Sequence, residues 1–568
     1  MNPKYKKCAL NNIDQEPPQK KMILFSVTFI IILGFAVYGN SLNNGFIWDD
    51  QILIKDNSYV KGWSSLPQIF TQDIGAGAGK KTWKFYRPLQ MITYIIDYSL
   101  WKSDAKGYHL TSILWHVLAA LSIYVLMNMI FKDNLLSFLT GALFIVHPVH
   151  TEVVTYISGR ADSMALLFML MCFIFYIKSS PSKRVGTCIL MLFSYALALL
   201  SKESSLILPV LLLLYHYSFK KKVHIKNFFL IVGISLIYVL LRVTVFKAIL
   251  PDVTNTATLG QRLPGVFAAI TSYVRLLFLP LDLHMEYGHP LFRFSDPKCI
   301  LGMSLLLALL TVAFRKREDS PLISFSLSWF FIALLPVLNL YPINAYMAEH
   351  WLYLPSIGFF LVAAKGLQSF YKVQALRILA VSFVIGLLAW HSYLTVKQNV
   401  YWREPLLFFQ RLLKYAPDSA RVYYNLGNEY HNNGEDEEAI AAWKKAIEIR
   451  PDYETAYNNL GNTYLALNKG GEAISAYKKA IEIKNDHANA YYNLGNAYFS
   501  INKIEEAIAS WKKATEIKKD YKEAYHNLAV IYFQQKQYNL AIENCDRAKE
   551  LGIENNELLK VLQPYRVK

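Results

Sequence analysis

The chain has 568 residues with a net charge of +17, yet 54% are hydrophobic, 14% aromatic and only 18% charged, at a mean hydropathy of +0.22. A soluble chain of this length carries more charge, so a polytopic membrane domain is expected. A nucleic-acid partner is not, because much of the Lys and Arg falls in short clusters between apolar runs, and the scattered Cys8, Cys172, Cys188, Cys299 and Cys545 exclude a disulfide scaffold.

Residues 1–21 are polar and basic and read as a cytoplasmic tail. Met22 to Val37 reads as an uncleaved first membrane helix, because no small-residue cleavage site follows it. Apolar segments continue at 109–131, 135–146, 161–177, 185–200, 204–219, 227–247, 299–314, 321–338, 351–367 and 375–396. Several fall short of the ~20 residues of an upright span. The run 263–281 is ambiguous. Lys132, then Lys178, Lys183 and Arg184, then the cluster Lys220 to Lys226 mark alternate loops as cytoplasmic. Arg315 to Arg317 and Lys365, Lys372 and Arg377 continue that alternation only if 263–281 does not cross. The expectation is therefore a multi-pass domain over 22–398 with about 11 spans, and a C-terminal half (399–568) on the non-cytoplasmic side. The absence of any Asn-x-Ser/Thr sequon favours a prokaryotic cell membrane over that of the endoplasmic reticulum.

Past residue 398 the pattern changes to a charged, Ala- and Tyr-rich one with a 34-residue repeat. Leu426-Gly427, Leu460-Gly461, Leu494-Gly495 and Leu528-Ala529 recur in step with Trp443, Tyr477 and Trp511. This is the tetratricopeptide signature, paired helices in which small residues let large ones pack closely, in four repeats over about 420–553. Val400 to Tyr415 reads as a preceding helix. The fold class is thus all-α, a polytopic helix bundle followed by an α-solenoid. Asparagines recur on the first helix of each repeat: Asn425, Asn459, Asn493 and Asn527, then Asn428, Asn462 and Asn496. Their amides could hold an acceptor backbone without reading its sequence, or serve only the repeat fold.

The informative polar groups gather in the expected outer loops. Phe46-Ile47-Trp48-Asp49-Asp50 puts two adjacent carboxylates just past the first helix, where they could accept a proton, orient a hydroxyl or hold a cation. An Asx turn or helix cap is the bland alternative, but Asn43-Asn44-Gly45 already supplies a turn. Downstream come Arg87, then His147, His150 and Glu152, then Arg160 and Asp162, Lys202 and Glu203, a group from Asp282 to His289, and Glu349 with His350. Arg160 with Asp162 could be a simple helix-start pair, and Lys202-Glu203 a solvated turn. His147, His150 and Glu152 are possible zinc ligands, but their spacing is not that of a helical metal motif and Pro148 interrupts it. Ionisable groups are costly at membrane depth unless paired or used, so their gathering points to a polar cavity.

Phe46 to Asp50, Tyr86-Arg87-Pro88-Leu89, Tyr108-His109-Leu110 with His116, His147 to Glu152, Gly159 to Asp162, Lys202-Glu203 and Glu349 to Ser356 together resemble the transmembrane-and-tetratricopeptide-repeat protein O-mannosyltransferases. These belong to the C-type glycosyltransferase superfamily. The resemblance implies a GT-C-like membrane domain that moves a sugar, mannose in that family, from a polyprenyl-phosphate donor to a protein Ser or Thr hydroxyl with inversion. It implies Asp49 as base and Asp50 as its partner or a second acceptor contact. Arg87, His147, His150, Glu152, Arg160, Asp162, Lys202, Glu203, Glu349 and His350 would lie on the donor side. The asparagine rows would bind the acceptor. No cofactor is firmly implied, a divalent metal being possible. The chain departs from animal members at His350, where they carry Arg, and in its four clear repeats. The competing expectation is a non-catalytic membrane scaffold that recruits partners through the repeats. A transporter would need a matched pair of glycine-broken helices, which the sequence lacks.

Overall fold

In the computed structural model, residues 18–79, 85–179, 185–246, 257–288, 290–343 and 345–566 are described. Most of the expected tail, together with Lys183, Arg184 and His289, lies outside the described residues. Among those described every regular element is helical. Contacts divide the chain into two compact units, 1–411 and 412–568.

Among the described residues of the first unit six helices are long and apolar enough to cross a membrane: Lys20–Asn43, Ala105–Phe131, Ile157–Lys178, Ile225–Thr244, Pro297–Arg315 and Gln374–Val400. Asn134–Val146 and Pro148–Val154 form a seventh only if counted as one span bent by 56°. The expected eleven would require shorter helices to cross as well. Leu208–Ser218 has 11 residues and Ser356–Lys372 has 17, below an upright crossing. The ambiguous run is a 20-residue helix, Leu259–Phe278, but it carries Arg262 and Arg275 and is not among the apolar set.

Small residues set the closest crossings, as expected where lipid offers no hydrophobic drive between helices. A Cβ on Gly302 would stand 2.0 Å from the Phe267 carbonyl oxygen, and one on Gly358 2.2 Å from that of Ser326. Pro148 forces the bend and frees backbone groups that lipid cannot satisfy. Three side chains meet them. His147 Nδ1 accepts from the Val149 amide, His150 Nδ1 lies 2.9 Å from the Phe144 carbonyl, and Thr395 Oγ1 donates to that of Val146. The first loop is no loose connection. Leu53, Ile54, Val60, Ile69, Ile74, Met91 and Ile95 form a small core of their own that closes on Tyr108 and Ile157.

The second unit contains four helix pairs, from Ala420–Asn432 with Asp436–Ile449 to Lys522–Gln534 with Tyr538–Glu550, followed by Asn556–Leu562. The small residues do what the spacing implied. A Cβ on Gly427 would meet Trp443 at 2.5 Å, one on Gly461 Tyr477 at 2.6 Å, and one on Gly495 Trp511 at 2.5 Å. Replacing Gly461 by Val should therefore overpack the pair and cost about 1–3 kcal/mol. Urea unfolding followed by far-ultraviolet dichroism checks this; an unchanged midpoint would mean that Tyr477 moves aside freely.

Candidate active site

The loop after the first helix turns on Trp48, which adopts φ +55, a region that bulky residues avoid. Its ring is held by Phe408 and Phe409, at centroid distances of 5.8 and 5.4 Å. The two carboxylates that follow this turn differ in burial. Asp50 is 1% exposed and fully engaged: it accepts from the Ser158 amide at 2.8 Å, the Ser158 hydroxyl at 2.5 Å and the Ile47 amide at 3.2 Å. Asp49 is half-buried, and its own amide donates to the Tyr156 hydroxyl at 3.3 Å. Gln90 clamps the other side of Ser158, donating to its carbonyl at 2.9 Å. The first loop is thereby fastened to the start of the helix Arg160–Lys178.

Gly159 is the residue that lets this junction close, because any Cβ there would lie 2.4 Å from the Glu152 carbonyl oxygen. Next to it Arg160 is fully buried. It pairs with Asp97 rather than Asp162, and donates to the Tyr108 carbonyl at 2.8 Å. Asp162 instead takes Lys202 Nζ at 2.7 and 2.6 Å. Arg87 makes a fork to Glu203 at 2.8 and 3.3 Å. Lys202 is only 6% exposed, so neither the helix-start pair nor the solvated turn describes these residues. A fourth pair joins Glu152 to His350, whose amide and Nδ1 both donate to the carboxylate, at 3.0 and 2.7 Å. Beside it Glu349 accepts from the His284 amide and the Tyr287 hydroxyl, each at 2.6 Å.

Of the expected donor-side residues, Arg87 and Glu203, Asp162 and Lys202, and Glu152 and His350 are thus brought together as pairs, while Arg160 is paired with Asp97. His147 and His150 do not join them. Both are fully buried at the bend, with His147 Nε2 on the Leu277 carbonyl and His150 Nε2 on the Ser356 hydroxyl, so all four ring nitrogens are taken. The break at Pro148 needs them, which withdraws them from a ligand. Among the described residues no group of three His, Cys, Asp or Glu is placed to hold a metal ion. The asparagines are ordered too. Asn428, Asn462 and Asn496 accept from Trp443, Tyr477 and Trp511 of their own repeats, and from Asn459, Asn493 and Asn527 of the next, at 2.8–3.2 Å. Asn425 is half-buried at the head of the row.

Two structural residues escaped sequence reasoning. Asp97 answers Arg160; a lone acid in the apolar stretch Met91 to Trp101 was its signal. Asn399 accepts from Thr155 and donates to the Val37 carbonyl and to Asn40, linking the first helix, the bend and the last helix.

Burial pushes the Asp50 carboxyl up to about 7, with its hydrogen bonds from Ser158 and Ile47 opposing and the Asp49 charge adding. Burial also raises Glu203, but Arg87 overrides it and brings the carboxyl to about 2. Glu349 is held well above the carboxylate range by burial and then by the Glu152 charge. Because Asp50 has a folded pKa above its unfolded value, its protonated form favours folding. That contribution is complete below about pH 4 and is lost as pH rises through about 7. The unfolding temperature should fall across this window, and Asp50→Asn should flatten the fall; parallel curves for the two proteins would refute it. Removing one partner of the most buried pair, by Asp97→Ala, should cost about 3–5 kcal/mol, because Arg160 is left uncompensated. The loss of folded protein in detergent measures it.

Family models for the tetratricopeptide repeat match residues 408–441, 427–468, 461–501, 495–536 and 522–551. A Caenorhabditis elegans protein named protein O-mannosyl-transferase is 27% identical over 460 residues, covering 76% of this chain and 64% of the relative. The Homo sapiens protein O-mannosyl-transferase TMTC3 is 26% identical over 472 residues, covering 74% and 51%. The chain thus spans about half to two thirds of the length of these curated relatives. A crystal structure of MamA, 27% identical, covers 26% of this chain and 85% of its own, at a TM-score of 0.25. Three quarters of the chain is more than the repeats can account for, so the likeness to the O-mannosyl-transferases extends into the membrane half. The chain is thus similar to the TMTC proteins over about three quarters of its length, and its second unit carries the tetratricopeptide repeats.

Proposed function

We propose that the chain is a membrane glycosyltransferase that moves a sugar, mannose by the names of its relatives, from a polyprenyl-phosphate donor to a Ser or Thr hydroxyl of a protein on the non-cytoplasmic face. The observation that carries this reading is the division of labour in the first loop. Asp50 is fixed by two hydrogen bonds to Ser158, at the start of the helix Arg160–Lys178, and by a third to the Ile47 amide of its own loop, and that fixture holds the adjacent, half-buried Asp49 in place.

In this reaction Asp49 takes the proton of the acceptor hydroxyl as its oxygen attacks the anomeric carbon from the face opposite the phosphate, so the configuration inverts. Asp50 positions Asp49 and does not touch the acceptor. The paired cations keep the cavity polar without a large net charge. The repeats present the acceptor, with the asparagine rows ordering the first helices against one another and leaving the peptide to the groups those helices display. No step needs a metal ion.

Asp49→Asn should lower transfer of radiolabelled mannose from polyprenyl-phosphate mannose to an acceptor peptide by ~10²–10⁴-fold, the usual worth of such a base. Yield and unfolding temperature should stay at wild-type values. Undiminished transfer would remove Asp49 from the mechanism, and a wild-type chain that leaves the donor intact would favour the scaffold.

A further inference from the structure

Three cations, Arg87, Arg160 and Lys202, are answered by carboxylates. Arg262 is not. It sits in the first turn of the helix Leu259–Phe278 and is 8% exposed. Its Nε donates to the Ala257 carbonyl at 3.0 Å, and its Nη1 donates to the Asn339 carbonyl at 2.5 Å and side-chain oxygen at 3.4 Å. All three acceptors are neutral. Among the described residues it makes no ion pair. A guanidinium cannot give up its proton, so a cation withdrawn from water among amide dipoles keeps its full charge and favours an anion beside it.

Its support is built for the purpose. Asn339 is 5% exposed and held at φ +55, and its side-chain oxygen also accepts from the Ile343 amide. The left-handed turn therefore fixes the oxygens that aim Arg262. The same loop reaches the rest of the cluster. Leu335–Val337 packs against Glu203–Ile207, and Tyr341 lies within electrostatic reach of both Glu203 and the buried Arg242.

Resting on the donor reading above, we propose that Arg262 binds the phosphate of the lipid-linked sugar and takes up the charge that develops on it. As the acceptor oxygen bonds to the anomeric carbon, the bond from that carbon to the phosphate oxygen breaks. Its electron pair stays on the phosphate, and the acceptor proton passes to Asp49. The phosphate thus goes from a diester with one negative charge to a monoester that can carry two. A fixed, uncompensated cation is worth more to the second than to the first. Arg87 and Lys202 cannot supply that surplus, because Glu203 and Asp162 already neutralise them.

The test is binding of polyprenyl monophosphate to the full chain in detergent, with polyprenol, inorganic phosphate and phosphatidylglycerol vesicles as comparators. Arg262→Gln and Arg262→Met should weaken polyprenyl monophosphate by about tenfold or more, the worth of a charged hydrogen bond. Arg262→Lys, which keeps the cation, should restore most of it, and polyprenol should bind no variant differently. Unfolding temperatures without lipid show that each variant is folded. Equal binding by the neutral variants overturns the proposal, as does a lysine variant as weak as the glutamine one. Equal, Arg262-dependent binding of phosphatidylglycerol or inorganic phosphate overturns the donor assignment in favour of a general anion site. A wild-type chain that binds polyprenyl monophosphate through Arg262 but transfers no sugar leaves this inference standing and defeats the transferase reading.

Discussion

The Arg160–Asp97 ion pair, shut away from solvent, sets the constraint that its end of the bundle obeys. Two charges taken into low dielectric cost several kcal/mol each, and their attraction repays this only with good geometry and further hydrogen bonds. Arg160 obtains those from the Tyr108 carbonyl and the Thr93 hydroxyl, with Tyr94 under the guanidinium. Such a pair adds little net stability over an apolar substitute, but it is intolerant of any arrangement that separates its members. It therefore specifies how the helix Pro88–Trp101 lies against the helix Arg160–Lys178. The Arg87–Glu203, Lys202–Asp162 and His350–Glu152 pairs extend the same rule to four further segments.

What the sequence makes legible follows from how local each cause is. The repeats read clearly because their packing repeats within one helix pair: Gly427 must be small because Trp443 lies 16 residues on, and the next copy says the same of Gly461 and Tyr477. The charged groups read as a gathering but not as pairs. Their partners are 116 residues apart for Arg87 and Glu203, 63 for Arg160 and Asp97, and 198 for Glu152 and His350. Nothing in the local pattern prefers Asp97 to Asp162 as the partner of Arg160. The span count misleads for a related reason. Apolar runs report burial in either lipid or protein, and several short ones become helices too short to cross alone.

The histidines at the bend and the asparagines of the repeats carry one lesson. Both were visible as motifs, and both are engaged with backbone or side-chain groups next to them. A proline in a membrane helix leaves backbone groups that must be met inside the protein. An imidazole does this at low cost because its neutral form offers one donor and one acceptor. Asparagine is equally suited to its row, where one carbonyl accepts from a ring in its own repeat and from an amide in the next. A motif residue can thus be indispensable to the fold at a functional site without meeting the ligand.

The same distinction separates the two carboxylates of the first loop. Asp50 has the elevated pKa that a general base near neutrality would want. Two of its three hydrogen bonds are nevertheless what hold Ser158, the third coming from Ile47, and a carboxylate with its oxygens committed to amides and a hydroxyl has to break that fastening to accept a substrate proton. Asp49, adjacent and half-buried, lies outside that fastening. Trp48 takes the left-handed turn from which the helical turn of Asp49 and Asp50 starts, and within it Asp50 is the one sealed against Ser158. On the proposed reaction, then, the strain at Trp48 and the burial of Asp50 are both spent on positioning a single acceptor of protons.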